Sequence, residues 1–221
     1  MAQKKLIVMV SSTVYGIEEL LNRVYALLTG FGYEVWMSHK GTVQTFSNRS
    51  SFEDCLDAVA ACDLFLSLIT PQYGSGKDGA ELSITHQELL KAIELKKPRW
   101  VLAHDHVVFA RSFLMGLRQS PPPGSADTEV RKLIRSELSL IKSTKVIDDL
   151  RVIDLYEAAI QQGVPLAARK GNWVQKFWDD SDALLYAAAQ FSRYQEVEKF
   201  VTENFTDMAA VAKLVKPGEQ A

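Results

Sequence analysis

Glu88 is the carboxylate best placed to do chemistry in this sequence, because it lies in the first turns of a predicted helix. The segment reads Ser83-Ile84-Thr85-His86-Gln87-Glu88, and Ser83 is a suitable N-cap. A helix N-terminus favours a carboxylate electrostatically, so Glu88 is a candidate catalytic group that faces a ligand. The same residues also fit a capping box from Thr85 to Glu88, in which the carboxylate only bonds the backbone. The spacing leaves both interpretations open.

A run of hydroxyl side chains, Ser11-Ser12-Thr13, comes directly after an apolar segment and before a predicted helix. Hydroxyl groups and free backbone N–H groups at such a position suit a phosphate or a ribose. The alternative is a simple N-cap, since serine and threonine are favoured there in any helix. Tyr15 follows two residues later and is a candidate for stacking on a base.

A second polar loop, residues 70–82, contains Tyr73 and Gly74. Its glycines permit positive φ and a close approach of the backbone to a ligand. The loop is not a P-loop, because Gly76-Lys77 is followed by Asp78 and not by serine or threonine. No G-x-G-x-x-G follows the first apolar run, so ordinary nucleoside-triphosphate and dinucleotide folds are disfavoured. Tyr73, Gly74 and Ser83 are predicted to bind substrate, or to pack within the loop or core.

Histidines at 86, 104 and 106 raise the question of a metal site. His104 and His106 alternate in a segment that is predicted to be extended, so both rings could share a face. No cysteine or further histidine lies at a helpful spacing, and we predict no metal. No G-x-S-x-G elbow supports a serine hydrolase either.

The elements that must position these residues alternate between short apolar runs and longer amphipathic segments. This pattern is typical of βαβ units and predicts an α/β, flavodoxin-like parallel sheet of order 2-1-3-4-5 with helices on both faces. The strands are predicted at 6–10, 33–37, 64–69 and 99–103, and the helices at 17–28, 52–61 and 84–95. In such a sheet the ligand crevice lies where the strand order reverses. The loops at 11–16 and 70–82 are expected to meet there.

The second half of the chain is less regular. Helices are predicted at 107–117, 129–142 and 155–162, and the proline-rich stretch 120–127 is a loop. Val152-Ile153 is the predicted fifth strand. Residues 171–212 are rich in aromatic side chains and are predicted to be helical. We therefore expect a main domain over 4–160 and a helical C-terminal extension over 165–214, packed on that domain or used for association.

The composition of the chain limits the kinds of partner that it is expected to bind. The chain has 221 residues and a net charge of −2, which predicts no general nucleic-acid or membrane partner. The apolar run near the N-terminus is too short for a signal peptide, and no stretch has the length of a membrane span, so we expect a cytoplasmic protein. Cys55 and Cys62 are predicted to be core thiols and not a disulfide framework.

The opening residues KLIVMVSSTVYGIEEL resemble a TIR-like bacterial family of unknown function, whose members begin with a strand, then S-S-T-x-Y, then a helix. The segment from Ser83 to Glu88, with Ala92 and Lys97-Pro98 downstream, is similar to the matching helix of TIR domains. It is also similar to a helix of nucleoside deoxyribosyltransferases. The resemblance covers roughly residues 4–115 and implies a TIR-like fold.

The resemblance also implies an activity. In enzymatic TIR domains this helix carries the catalytic glutamate, whose place Glu88 occupies, and the reaction cleaves the bond between nicotinamide and ribose in NAD. Bacterial members often act in anti-phage defence. NAD is then a substrate and not a permanently bound cofactor. Two other functions stay open: a non-catalytic module that binds a nucleotide or associates through its C-terminal helices, and a deoxyribosyltransferase acting on free nucleosides.

Overall fold

The computed structural model describes residues 5–75, 82–118 and 141–196. These residues form one five-stranded sheet of order β2-β1-β3-β4-β5, in which every neighbouring pair is parallel. The predicted flavodoxin-like order is therefore confirmed. The strands are β1 (Ile7–Ser12), β2 (Glu34–Trp36), β3 (Leu64–Ile69), β4 (Arg99–His104) and β5 (Asn172–Phe177).

Helices cover both faces of this sheet, as the sequence predicts. One face carries α1 and α6, and the opposite face carries α2, α3, α4 and α5. Their bounds are α1 (Glu18–Gly30), α2 (Ser51–Ala61), α3 (Ile84–Glu94), α4 (Asp105–Arg118), α5 (Arg151–Ile160) and α6 (Asp180–Phe191). A capping box starts α2, because Ser50 and Glu53 each bond the other's backbone.

Alternation along the strands divides the core into two layers. On β1, Val8 and Val10 pack with α1, whereas Met9 packs with α2 and α3. All six residues of β3 are buried, as expected of a central strand covered on both sides. Ser11 continues the Met9 side of β1, so its hydroxyl points toward the layer beneath α2 and α3.

The predicted position of the fifth strand is wrong. Val152 and Ile153 lie in α5, where both are buried against the sheet. Two apolar residues in a row do not distinguish a strand from the buried side of a helix. The fifth strand is β5, which pairs with β4 from Arg99↔Asn172 to His104↔Phe177. It is an edge strand with an exposed Trp173, so its own sequence lacks the apolar run of a buried parallel strand.

The stretch 171–212, which was predicted to be helical, therefore begins with a strand. Its helix α6 packs on the sheet beside α1, and Phe191 is buried there. The Tyr33 hydroxyl donates to the Phe191 carbonyl at 2.9 Å, and the two rings meet edge to face. The division into domains at 4–160 and 165–214 stays a prediction. Residues 119–140, with most of the predicted helix 129–142, and residues beyond 196 lie outside the described ranges.

The described residues also bear on the two cysteines and on whether a helix could cross a membrane. Cys55 and Cys62 are both buried and unpaired, which confirms them as core thiols. Within the ranges given above, no helix has the length and apolar character that crossing a bilayer requires.

Tyr33→Phe is expected to destabilise the fold by about 1 kcal/mol, because the Phe191 carbonyl loses a buried hydrogen bond. Urea unfolding of the full chain measures the change. Tyr15→Phe is the control, since the Tyr15 side chain is largely exposed and its hydroxyl can be solvated in both states. Equal stability of the Tyr33 variant and the wild-type protein would contradict the docking of α6 seen here.

Candidate functional site

Glu88 points from α3 to the sheet and not back to its own helix start. Ser83 is the N-cap of α3, and its hydroxyl accepts from the His86 N–H at 3.3 Å. Glu88 therefore lies in the second turn, and the capping box from Thr85 is wrong because the helix begins earlier. The Glu88 side chain is 3% exposed, and Ser11 Oγ donates to its Oε2 at 2.5 Å. The carboxylate is thus held at the carboxyl end of β1.

Burial dominates the electrostatics of this carboxylate. It raises the pKa of Glu88 from 4.5 to about 7, while hydrogen bonds from Ser11 and Cys55 act in the opposite direction. Burial, with the neighbouring charge of Glu88, raises the pKa of the Cys55 thiol to about 12. Cys55 therefore remains a neutral donor. A pKa this close to neutrality lies in the range in which a carboxyl group can serve as acid or base.

The hydroxyl run does not cap a helix. Helix α1 starts at Glu18, and its N-cap position is Ile17. Ser11 bonds Glu88, and Ser12 Oγ donates to the Leu68 carbonyl on β3 at 2.9 Å. Thr13 is 7% exposed. The N-cap interpretation is therefore wrong: the first two hydroxyls join the ends of β1 and β3 to each other and to α3.

The two loops that were expected to meet at the switch point do so at Thr13 and Gly74. Gly74 has a φ of +81°, and a Cβ atom built there would lie 2.7 Å from Thr13 Oγ1. Only glycine combines this left-handed backbone with such a close approach. Gly74 therefore allows the loop after β3 to pack against the loop after β1.

Tyr73 is a buried connector and is not placed to stack on a base. It is 1% exposed, its hydroxyl bonds His86 Nδ1 at 2.9 Å, and the same oxygen accepts from the Ser83 N–H at 3.3 Å. Its backbone N–H donates to Asp148 Oδ1 at 2.8 Å, and the Arg151 guanidinium stacks over its ring. The loop after β3 is thereby fastened to the start of α3 and to the turn before α5.

Sequence reasoning missed Asp148, Arg151 and Cys55. The first two lie far along the chain, in a stretch without a recognisable motif, and only the packing of α5 brings them to Tyr73. Burial and the charge of Arg151 lower the pKa of His86, so its ring is neutral. A neutral ring can accept a hydrogen bond from the Tyr73 hydroxyl at Nδ1.

Tyr15 and the histidines at 104 and 106 are the remaining candidates. Tyr15 is 72% exposed, so its ring is accessible from solvent. His104 ends β4 and His106 is already in α4, so they do not share one extended segment as predicted; the His106 N–H donates to His104 Nδ1 at 3.1 Å. Within residues 5–75, 82–118 and 141–196, no three His, Cys, Asp or Glu side chains form a group suited to a metal ion.

Glu88→Gln is expected to change how stability depends on pH. The folded state holds the Glu88 proton more tightly than the unfolded state, because its pKa is about 7 in place of 4.5. The stabilisation from this proton is complete below pH 4.5, falls as pH rises, and is lost above pH 7. Glutamine does not titrate, so the stability of the variant relative to the wild-type protein should rise by about 3 kcal/mol from pH 4 to pH 8.

Urea unfolding of both proteins across this pH range measures the difference. Subtracting one curve from the other removes the contributions of groups shared by both proteins, such as His86. A difference that stays constant with pH is the result that this prediction excludes.

Gly74→Ala is expected to cost about 2 kcal/mol or more, from the left-handed backbone and the overlap with Thr13. A second substitution, Thr13→Ala, removes the overlapping atom. It should therefore recover only the part of the cost that comes from the overlap, and not the part that comes from the left-handed backbone. Gly16→Ala is a matched control, because Gly16 has a φ of +84° and no atom within 4 Å of an added Cβ. Additive effects of the Gly74 and Thr13 substitutions in urea unfolding would contradict the contact.

Comparison with known proteins places this site inside a region of recognised similarity. No curated protein matches the chain. Among solved structures, it is similar to the TIR domains in the structure of the activated Roq1 resistosome directly recognizing the pathogen effector XopQ. That similarity has a TM-score of 0.46 and 12% identity, and it covers 84% of this chain and 99% of that chain. Residues 7–113, which include Ser11, Gly74 and Glu88, match the family described as a domain of unknown function, DUF4062.

Proposed function

We propose that this protein cleaves the N-glycosidic bond of NAD or a related nucleotide, with Glu88 as the catalytic carboxylate. The observation that carries the proposal is the bond from Ser11 to a buried Glu88 at the carboxyl end of the sheet. This edge, between β1 and β3, is where ligands of open parallel sheets bind. The resemblance of the Glu88 helix to the helix that carries the catalytic glutamate in enzymatic TIR domains supports the same reaction.

One carboxylate is sufficient for this chemistry. As the bond between ribose C1′ and the nicotinamide nitrogen breaks, its electron pair goes to nitrogen and neutralises the pyridinium ring. Positive charge develops on the ribose, and an ionised Glu88 either stabilises that charge or forms an ester with C1′. Water then attacks C1′ and loses a proton, and where an ester has formed, its C1′–O bond breaks and the Glu88 carboxylate is regenerated. Nicotinamide leaves as a neutral molecule, so no general acid is needed.

The environment of Glu88 suits a cationic substrate. Because its pKa is about 7, the carboxylate and the acid are similarly populated at neutral pH. A pyridinium ring nearby favours the ionised form, so binding of the substrate should release a proton. Because the side chain is only 3% exposed, the substrate reaches it after the surrounding segments move apart.

The biological setting is part of the same proposal. The resemblance supports a role in bacterial immune or anti-phage signalling, in the cytoplasm. Self-association or a partner protein engaging the C-terminal helices would then regulate the activity. NAD serves as substrate in this proposal.

Purified full-length protein is expected to release nicotinamide from NAD, as measured by chromatography. Glu88→Gln and Glu88→Ala should reduce the rate at least ~100-fold, because no charge then stabilises the ribose cation. In the wild-type protein kcat/KM should rise with pH and level off above about pH 7, as Glu88 ionises. Glu94→Gln is the control, since Glu94 is exposed on the same helix and pairs with Lys91. Undiminished turnover by the Glu88 variants excludes the assignment.

A second candidate function is a non-catalytic nucleotide-binding or interaction module. The burial of Glu88 favours it, because a carboxylate bonded to Ser11 and Cys55 also serves to join α2, α3 and β1. Calorimetric titration with NAD that shows binding, together with chromatography that shows no nicotinamide, would support this function. A panel that includes deoxynucleosides tests the third possibility, base exchange on free nucleosides.

A further inference from the structure

Ser67 is a buried hydroxyl whose position has no explanation in the fold alone. It lies in the middle of β3, is fully buried, and its Oγ has no hydrogen-bond partner within the described part of the chain. An unsatisfied buried hydroxyl costs free energy that alanine at the same position would avoid. The hydroxyl therefore points to a role toward the groups that lie beside it.

The neighbour of Ser67 across the sheet is Ser11. The two residues are Cα partners in the β1–β3 pairing. They also lie on the same face, because Met9 on β1 and Phe65 and Ile69 on β3 all pack in the layer beneath α2 and α3. Adjacent strands are about 4.8 Å apart, so two hydroxyls are presented side by side. One of them already donates to Glu88.

The Glu88 carboxylate has capacity for a further donor. Two carboxylate oxygens accept about four hydrogen bonds, and the described donors are the Ser11 hydroxyl and the Cys55 thiol. A thiol is a weak donor. We propose that Ser67 is a positioning residue of this site, whose hydroxyl donates to the second oxygen of the Glu88 carboxylate when that group is ionised. Ser11 and Ser67 then hold the anion between two adjacent strands.

Other charged groups near this position are already engaged. On α2, Asp54 accepts from the Phe46 N–H at 3.0 Å and lies 3.8 Å from the Arg49 guanidinium. On α3, His86 bonds the Tyr73 hydroxyl. Cys55 is the titratable group in contact with Glu88, and it stays neutral at physiological pH. Ionisation of Glu88 is therefore supported by neutral donors, and a second hydroxyl adds directly to that support.

This role deepens the proposed function and rests on it for its effect on catalysis, but the hydrogen bond is testable without turnover. The probe is the side-chain carboxyl carbon of Glu88, observed by NMR across a pH titration of ¹³C-labelled full-length protein and assigned with Glu88→Gln. Ser67→Ala should raise the pKa of Glu88 by about one unit, which lowers its ionised fraction up to tenfold. Ser67→Cys keeps a weak donor and should give a smaller increase.

Ser12→Ala is the matched control, because Ser12 lies next to Ser11 on the opposite face and bonds the Leu68 carbonyl. It should leave the pKa of Glu88 unchanged. An unchanged or lower pKa of Glu88 in both Ser67 variants overturns the proposed role of Ser67, even where NAD is cleaved. If Ser67→Ala raises the pKa of Glu88 but the wild-type protein does not cleave NAD, the role of Ser67 stands and the proposed activity is excluded. If the pKa rises and the wild-type protein cleaves NAD, the pH at which kcat/KM levels off should be higher in Ser67→Ala, in step with the pKa of Glu88.

Discussion

The burial of one carboxylate against the end of β1 is the constraint on which the rest of this site depends. Removing Glu88 from water disfavours its charge, so the structure must supply donors or accept a proton. It does both: Ser11 donates at 2.5 Å, and the pKa of Glu88 rises to about 7. Polar side chains in an otherwise apolar layer, Ser11 and Cys55 among them, follow from this requirement.

Placing the carboxylate also requires that α3 start at a fixed position relative to the sheet. Ser83 ends the preceding loop as the N-cap, and the Tyr73 hydroxyl bonds both the Ser83 N–H and His86. Tyr73 is in turn held by Asp148 from the turn before α5 and by Arg151 at the start of α5. The position of Glu88 is therefore set by contacts distant in sequence. Preorganisation of this kind is what a carboxylate needs in order to act on developing charge.

Local patterns in the sequence predicted much of this arrangement. The apolar runs of β1, β3 and β4 identified buried parallel strands, and the Gly74 loop and the hydroxyls after β1 were expected at one edge. Non-local packing decided the rest. β5 is recognised only by its pairing with β4, and Val152 and Ile153 face the core from a helix. The partner of Glu88 could not be deduced either, because Ser11 lies 77 residues away and either a cap or a strand suits it.

A pKa of about 7 makes the charge of Glu88 sensitive to small changes in its surroundings. The free energy of ionising a group is proportional to the difference between its pKa and the pH, so at pH 7 it is close to zero for this carboxylate. Burial without the Ser11 and Cys55 donors would favour the acid form, and full exposure would favour the anion. When the pKa of Glu88 is close to the pH, one hydrogen bond or one nearby cation decides whether the carboxyl group is charged. In the proposed reaction, the same carboxylate is neutral enough to remain buried in the free protein, and the pyridinium ring of the substrate would ionise it.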